Sequence, residues 1–382
     1  MLLNILAAAA LAVWIYLIAG RGGFWLAWER DDTTSPPSAW PAVIAVIPAR
    51  NEAESVGEAI ASLLKQDYPG TFSIVLVDDQ SSDGTADVAR QVAAAASPER
   101  VTVVSGETLP TGWTGKVWAM HQGVARAGQS KPDYLLFTDA DIVYETDALT
   151  RLVARAQAEQ LVLNSLMVRL RCVSFAEHAF VPAFVFFFQM LYPFAWVNSE
   201  ERATAAAAGG CMLVRRDALA AAGGVEAIRD ALIDDCALAQ RLKPQGPIRL
   251  SLTERVHSVR SYPRLEDIRR MVARSAYTQL RYSPLLLAAT IAAMTVVYLV
   301  PVILAIFVGG FAQTMGLLMW VAMTIAFLPI LRFYRLSPLW GPLLPAIALG
   351  YMVFTLDSAY QYTQKRGGLW KGRAQSNVNG VR

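Results

Sequence analysis

The chain has 382 residues, 54% of them hydrophobic and only 17% charged, against roughly 25% charged in soluble domains. That balance excludes a disordered chain and argues against an ordinary soluble enzyme. The 34 Lys and Arg against 31 Asp and Glu leave a net charge of +3, too small to suggest a nucleic-acid partner. Cys172, Cys211 and Cys236 show no CxxC spacing, so neither a disulfide framework nor a zinc knuckle is indicated.

Residues 1–20 carry no charged side chain, which matches the length of about 20 apolar residues that a membrane span needs. No basic region precedes the run, and it is longer than a cleaved signal requires, so it reads as an uncleaved anchor. Arg21 and Arg30 follow it, which predicts a cytoplasmic location for the central part of the chain.

From Trp40 onward, short apolar runs alternate with helical patterns. Residues 42–47, 73–77, 101–105 and 134–138 read as strands, and Glu52–Gln66 and Gly84–Ala96 have apolar residues at helical spacing. This alternation predicts an α/β domain over 40–283 with a mostly parallel sheet and helices on both faces. Ligands of such sheets bind at the carboxyl ends of the strands. There the first strand runs into Pro48-Ala49-Arg50-Asn51-Glu52, the second into Asp78-Asp79, and the fourth into Asp139-Ala140-Asp141. Asp and Asn are also common in turns and caps, and Asp83 beside Gly84 is read that way. Carboxylates at several strand ends of one sheet edge favour a functional cleft. Asp139 and Asp141 lie on one face of an extended segment and could hold Mg²⁺ or Mn²⁺, which would neutralise a diphosphate. Lys116, in Gly112-Trp113-Thr114-Gly115-Lys116, reads equally as a nucleotide contact or as a solvated loop lysine. No GxGxxG or P-loop sequence occurs, which argues against dinucleotide oxidoreductases and P-loop NTPases.

Residues 179–199 form a further uncharged, phenylalanine-rich run. It is expected to lie at the membrane interface or to re-enter the membrane, with a buried core helix as the equal alternative on composition. Arg264 to Ser283 is predicted as one amphipathic juxtamembrane helix resting on anionic lipid. A C-terminal membrane cluster over 284–357 is expected to contain two or three spans. Its last segment, with Pro338, Pro342 and Pro345, is a candidate re-entrant stretch, and a basic tail follows over 358–382.

Taken in order, Pro48-Ala49-Arg50-Asn51-Glu52, Asp78-Asp79 with Ser82-Asp83-Gly84-Thr85, Gly115-Lys116, Asp139-Ala140-Asp141 and Asp234-Asp235 resemble the motifs of family 2 and family 21 inverting glycosyltransferases of the GT-A fold. The arrangement of anchor, catalytic domain and C-terminal cluster is similar to ceramide glucosyltransferases, and the Trp113 loop, the Asp234-Asp235 pair and the Tyr277–Tyr282 stretch are similar to the hopanoid-biosynthesis-associated group. The resemblance implies a bacterial inner-membrane enzyme moving a sugar from a UDP-sugar to a lipid. Pro48, Ala49, Asn51, Glu52, Asp78 and Asp79 would form the nucleotide pocket with Lys116. Asp139 and Asp141 would hold the metal at the diphosphate, and Asp235, beside Asp234, would be the general base. Thr278-Gln279-Leu280-Arg281-Tyr282 departs from the family's Gln-x-x-Arg-Trp motif, which argues against processive polysaccharide synthesis. Arg281 is kept as a partner for the leaving diphosphate. Asp234 and Asp235 also suit a helix N-terminus, where acids are favoured. The competing readings are a sugar-phosphate nucleotidyltransferase, disfavoured by Asp234-Asp235 and the membrane segments, and a catalytically silent scaffold, disfavoured by the complete set of acids.

Overall fold

A computed structural model describes residues 2–32, 35–364, 369–370 and 373–374. The chain divides into two units, one built from residues 1–28, 172–195 and 262–367 and the other from 29–171, 196–261 and 368–382.

The second unit is organised by an eight-stranded sheet. Its strands are β1 (Val43–Ala49), β2 (Phe72–Asp78), β3 (Val101–Ser105), β4 (Tyr134–Thr138), β5 (Ile142–Tyr144), β6 (Leu163–Arg169), β7 (Cys211–Arg215) and β8 (Ile248–Ser258), in the order β3-β2-β1-β4-β7-β6-β8-β5. The four strands expected from sequence form the parallel half, with β1 between β2 and β4 and β3 outside β2. All seven residues of β1 are buried. Helices cover both faces of a parallel sheet, so such a strand is apolar throughout instead of alternating. The other half is mixed: β7 runs antiparallel to β4 and β6, β6 is parallel to β8, and β5 is antiparallel to β8. This is the curled, mixed α/β architecture of the GT-A fold.

Helix Val56–Leu64 buries Val56, Ala59, Ile60 and Leu63, the one-face spacing that packs a helix on a sheet. Helix Gly115–Gly128 lies so close to β1 that a Cβ at Gly123 would come within 2.4 Å of Val46 Cγ1. Only glycine fits that approach, and it fixes how deeply the helix carrying Lys116 sits.

The first unit is helical. Among the described residues, four helices are long and apolar enough to cross a membrane: Leu3–Gly20, Pro284–Phe307, Gly310–Phe333 and Pro338–Thr363. Large apolar side chains such as Leu285, Phe307 and Leu339 are exposed on them, a surface suited to lipid. The Pro338 segment begins as a 3₁₀ turn and continues as an α-helix to Thr363; Pro338 and Pro345 open the two pieces, where no backbone donor is lost, and Pro342 lies within the 3₁₀ turn. The phenylalanine-rich segment forms helix Phe175–Leu191. Phe186 meets Phe24 and Phe327 at 5.3 and 5.4 Å, and Phe187 meets Tyr351 at 5.0 Å. Its N-terminus is closed by a reciprocal cap in which the Glu177 backbone N–H donates to Ser174 Oγ and the Ser174 N–H to Glu177 Oε2.

The single helix expected over 264–283 is broken. It forms Leu265–Ala273 and a short turn Ala276–Gln279, after which Arg281 and Tyr282 both adopt left-handed backbone conformations with φ of 52° and 55°. Helical pattern alone does not register this stop. It is made by Ser283, which caps the next helix with Pro284 in its first turn, and by the Tyr277 hydroxyl donating to the Tyr282 carbonyl at 2.9 Å. Of the basic tail, Lys365, Arg366, Lys371 and Arg382 lie outside the described residues.

Candidate active site

The carboxyl edge of the parallel strands carries the acids. Asp78 ends β2 in register with Ala49 of β1 and Ser105 of β3. The next residue, Asp79, is wholly buried; its N–H donates to the Ala49 carbonyl at 2.8 Å, and its carboxylate lies 3.7 Å from the Arg50 guanidinium. Pro48 and Ala49 are buried within β1, so only their main chain borders the edge. Asn51 takes a left-handed conformation, tolerable for an asparagine, and its Oδ1 accepts from the Ser82 N–H at 2.9 Å. That contact locks the loops after β1 and β2 together. Asp83 accepts from the Ala53 N–H and from the Thr85 N–H and hydroxyl, the turn role expected of it. Asp78 Oδ1 is buried with no hydrogen-bond partner. A buried acceptor in that state normally costs about 1–3 kcal/mol, so it marks a place for a ligand donor.

A second cluster forms around Lys116. Its Nζ lies 2.9 Å from Asp139 Oδ1 and 3.2 Å from Asp234 Oδ2, with a side chain 15% exposed. The solvated-loop alternative for this lysine therefore fails. Burial opposes its charge, but Asp139 and Asp234 outweigh that and hold its pKa above the ordinary lysine range. Lys116 thus joins the acid after β4 to the acid pair that opens helix Asp234–Leu242.

Asp235 Oδ1 accepts from the Cys236 N–H at 2.7 Å, and its Oδ2 accepts from the Gly209 N–H at 2.9 Å. The helix-terminus and functional readings of this pair are compatible. A Cβ at Gly209 would stand 3.3 Å from Lys116 Nζ and 3.4 Å from Asp235 Oδ2, so the lysine and the acid meet over a bare backbone. Burial, then the neighbouring Asp234, push the Asp235 carboxyl up to about 6, against the opposing effects of Lys116 and the two N–H donors. Asp139 is also raised, first by burial and then by Asp141 and Asp234, with Lys116 opposing.

The third cluster was not visible in the sequence. Arg260, just past β8, donates from Nη2 to Glu52 Oε1 at 2.7 Å and from Nε to Asp141 Oδ2 at 3.2 Å. Ser258 Oγ donates to the same Asp141 Oδ2 at 2.6 Å. Arg260 belongs to no motif and lies 208 residues from Glu52, so only the fold brings them together. Gly209 was also missed, although the Gly209-Gly210 pair before a strand is a turn signal in its own right.

The donor set suits a hard divalent cation. Burial, Asp141 and Asp234 raise the Asp139 carboxyl against Lys116, so a further cation beside Asp139 would be favoured. Among the described residues, no three acidic, His or Cys side chains converge tightly enough to hold a metal alone. Magnesium-type sites commonly use one or two carboxylates and take their other ligands from substrate phosphates, so a pair of acids is sufficient protein provision. Arg281 lies in the helical unit, exposed in its left-handed turn.

Comparison with known proteins agrees with this architecture. Residues 44–223, just under half of the chain, match the family described as Glycosyl transferase family 2. That match ends before Asp234, Asp235, Ser258 and Arg260. The 4,4'-diaponeurosporenoate glycosyltransferase of Staphylococcus aureus strain USA300 is 33% identical over 120 residues, 31% of this chain and 29% of that protein. Its counterpart in the bovine strain RF122 / ET3-1 is 34% identical over 116 residues, 30% of this chain and 28% of that protein. The matched segment thus spans less than a third of the length of these relatives. Among solved structures, the mannosyltransferase PcManGT from Pyrobaculum calidifontis, in complex with GDP-Man and Mn²⁺, covers 93% of this chain and 99% of its own, with a TM-score of 0.54 and 20% identity. That likeness shows the fold.

Proposed function

We propose that this protein is a membrane-bound inverting glycosyltransferase that moves a sugar from a nucleoside diphosphate, with UDP as the nucleotide, to a lipid hydroxyl. The observation that carries the reading is the Lys116 bridge. One buried cation ties Asp139, at the carboxyl end of β4, to Asp234, whose neighbour Asp235 has a carboxyl raised to about 6.

Asp78, with its orphaned buried oxygen, receives a donor from the nucleotide, and the interlocked Asn51 and Glu52 loop walls the pocket with Asp79 beneath it. Asp139 and Asp141 would hold a divalent cation. When bound, that cation neutralises the diphosphate as it departs. Lys116 holds Asp139 and Asp234 in place and opposes the protonation of Asp139. Asp235 takes the proton of the acceptor hydroxyl, whose oxygen attacks the anomeric carbon from the side opposite the diphosphate; one displacement inverts that centre. A carboxyl near 6 is ionised at neutral pH yet more basic than an exposed aspartate, which suits a general base. Arg281 is assigned to the leaving diphosphate on the motif resemblance alone.

The lipid acceptor rests on the four long apolar helices and on the carotenoid-related name of the partial relatives. A hopanoid or another inner-leaflet membrane lipid fits the same resemblance, with the catalytic unit on the cytoplasmic face of a bacterial inner membrane. The test uses the full chain in lipid nanodiscs with Mn²⁺ and a panel of labelled nucleotide sugars. Label entering the organic phase supports the reading and the productive donor names the sugar. Label released only as free sugar, with membrane extract supplied as acceptor, refutes lipid transfer.

A further inference from the structure

Arg260 and Ser258 have no part in the mechanism above, yet they engage one of the acids assigned to the cation. Two nitrogens of a single guanidinium serve two acids from distant loops, Glu52 after β1 and Asp141 after β4. Among the described residues, the hydrogen bonds to the Asp141 carboxylate land on Oδ2: from Arg260 Nε at 3.2 Å and from Ser258 Oγ at 2.6 Å. Ser258 is itself oriented, because its Oγ accepts from the Arg260 backbone N–H at 3.2 Å. The main chain is fixed as well, with the Val259 N–H donating to the Asp141 carbonyl at 3.0 Å and Ile142 in register with Ser258. Asp141 is buried, so its carboxylate cannot turn freely toward water.

We infer that Arg260 and Ser258 are positioning residues: they hold Asp141 by Oδ2, leaving Oδ1 as the single oxygen offered to a divalent cation, and they link that acid to the nucleotide loop through Glu52. The inference rests on the proposed reading that Asp139 and Asp141 bind a cation with the nucleotide. Outer contacts of this kind set the orientation of a ligand and commonly change metal affinity by about 10–100-fold when removed. A lysine at 260 would keep the charge but has one nitrogen on a flexible stem, and it could not serve both acids in the fixed fork of an arginine. Arg260 therefore does more than neutralise two buried acids. A plain counter-ion would be replaced by lysine without consequence for the metal.

The test measures Mn²⁺ binding directly, by the loss of the free-ion electron paramagnetic resonance signal on titration with full-length protein and saturating UDP. Thermal melting is recorded in parallel. Arg260→Lys and Ser258→Ala are compared with the wild type. The expected result is Mn²⁺ affinity about tenfold weaker in Arg260→Lys. Ser258→Ala, which leaves every charge in place, should weaken it in the same direction, and excess Mn²⁺ should restore transfer in both. Wild-type Mn²⁺ affinity in both variants, even with lowered melting temperatures, would overturn the positioning role and leave the cation reading intact. A wild-type protein that binds UDP but draws down no Mn²⁺ would overturn both.

Discussion

The Lys116 bridge gives a quantitative expectation for Lys116→Met. A point beside Gly209 lies 3.3 Å from Lys116 Nζ and 3.4 Å from Asp235 Oδ2, so the two charged atoms are at most 6.7 Å apart. At an effective dielectric constant of about 20, a unit charge at that distance is worth about 2 kcal/mol, or between one and two pH units of a carboxyl pKa. Lys116 lowers Asp235 against burial and Asp234, and with it in place the carboxyl sits at about 6. Methionine fills similar space without charge, so the Asp235 carboxyl should rise to between about 7 and 8. The base works only when ionised. In the wild type kcat/KM for the donor should therefore fall as pH drops through about 6 and level off above it. In Lys116→Met the same limb should move up by one to two pH units, so that the loss is about 5- to 50-fold at pH 6 and shrinks toward pH 9. The assay is initial transfer rate against pH at low donor and saturating Mn²⁺. The position of the limb, rather than the plateau height, carries the test, since losing a donor contact lowers the plateau alone. A variant with a reduced plateau but an unmoved limb would refute the coupling of Lys116 to the base.

Two further expectations concern the cation and the framework. Chelation with EDTA should abolish transfer and readdition of Mn²⁺ or Mg²⁺ should restore it; transfer that persists through exhaustive chelation would remove the roles of Asp139 and Asp141. Gly123→Ala forces a methyl against Val46 and should destabilise the protein by about 1–3 kcal/mol in denaturant unfolding. Gly128→Ala, in the same helix with no atom near the added carbon, should be neutral or mildly stabilising.

The parallel half of the sheet was readable because each of its strands is a short, nearly continuous apolar run ending in polar residues. Only the ends were missed: β1 and β2 extend to Ala49 and Asp78 because parallel partners pair their backbones that far, which side-chain pattern does not reveal. The half made by β6, β7, β8 and β5 was not assigned in advance. The alternation of Ile248, Leu250 and Leu252 in β8 is a strand signal, but the pairing of β6 with β8 and of β7 with β4 joins segments far apart in the chain. The broken helix after Arg264 shows the converse limit. Its apolar spacing is helical throughout, yet two left-handed residues and a Ser-Pro start override it.

The site followed the same division. Asp78, Asp139, Asp141, Asp234 and Asp235 were legible because each sits in a short local motif beside a strand or helix end. Lys116 was ambiguous in sequence because its two acids come from separate elements, and burial between them resolved it. Arg260 and Ser258 carry no motif at all. Their importance arises from where β8 ends relative to Glu52 and Asp141, a property of the folded sheet alone.

The most direct measurement is the Asp235→Asn variant in nanodiscs, scored for labelled sugar transferred to lipid and, separately, for UDP binding by calorimetry. Asparagine preserves size, and its one amide oxygen can still accept from either the Gly209 or the Cys236 N–H, while its NH2 group replaces the other acceptor, so thermal melting is recorded alongside. The account predicts that transfer falls by at least about a hundredfold, the usual contribution of a positioned base, while the UDP dissociation constant changes little. Transfer at the wild-type rate would contradict the account, because Asp235 would then not be the base.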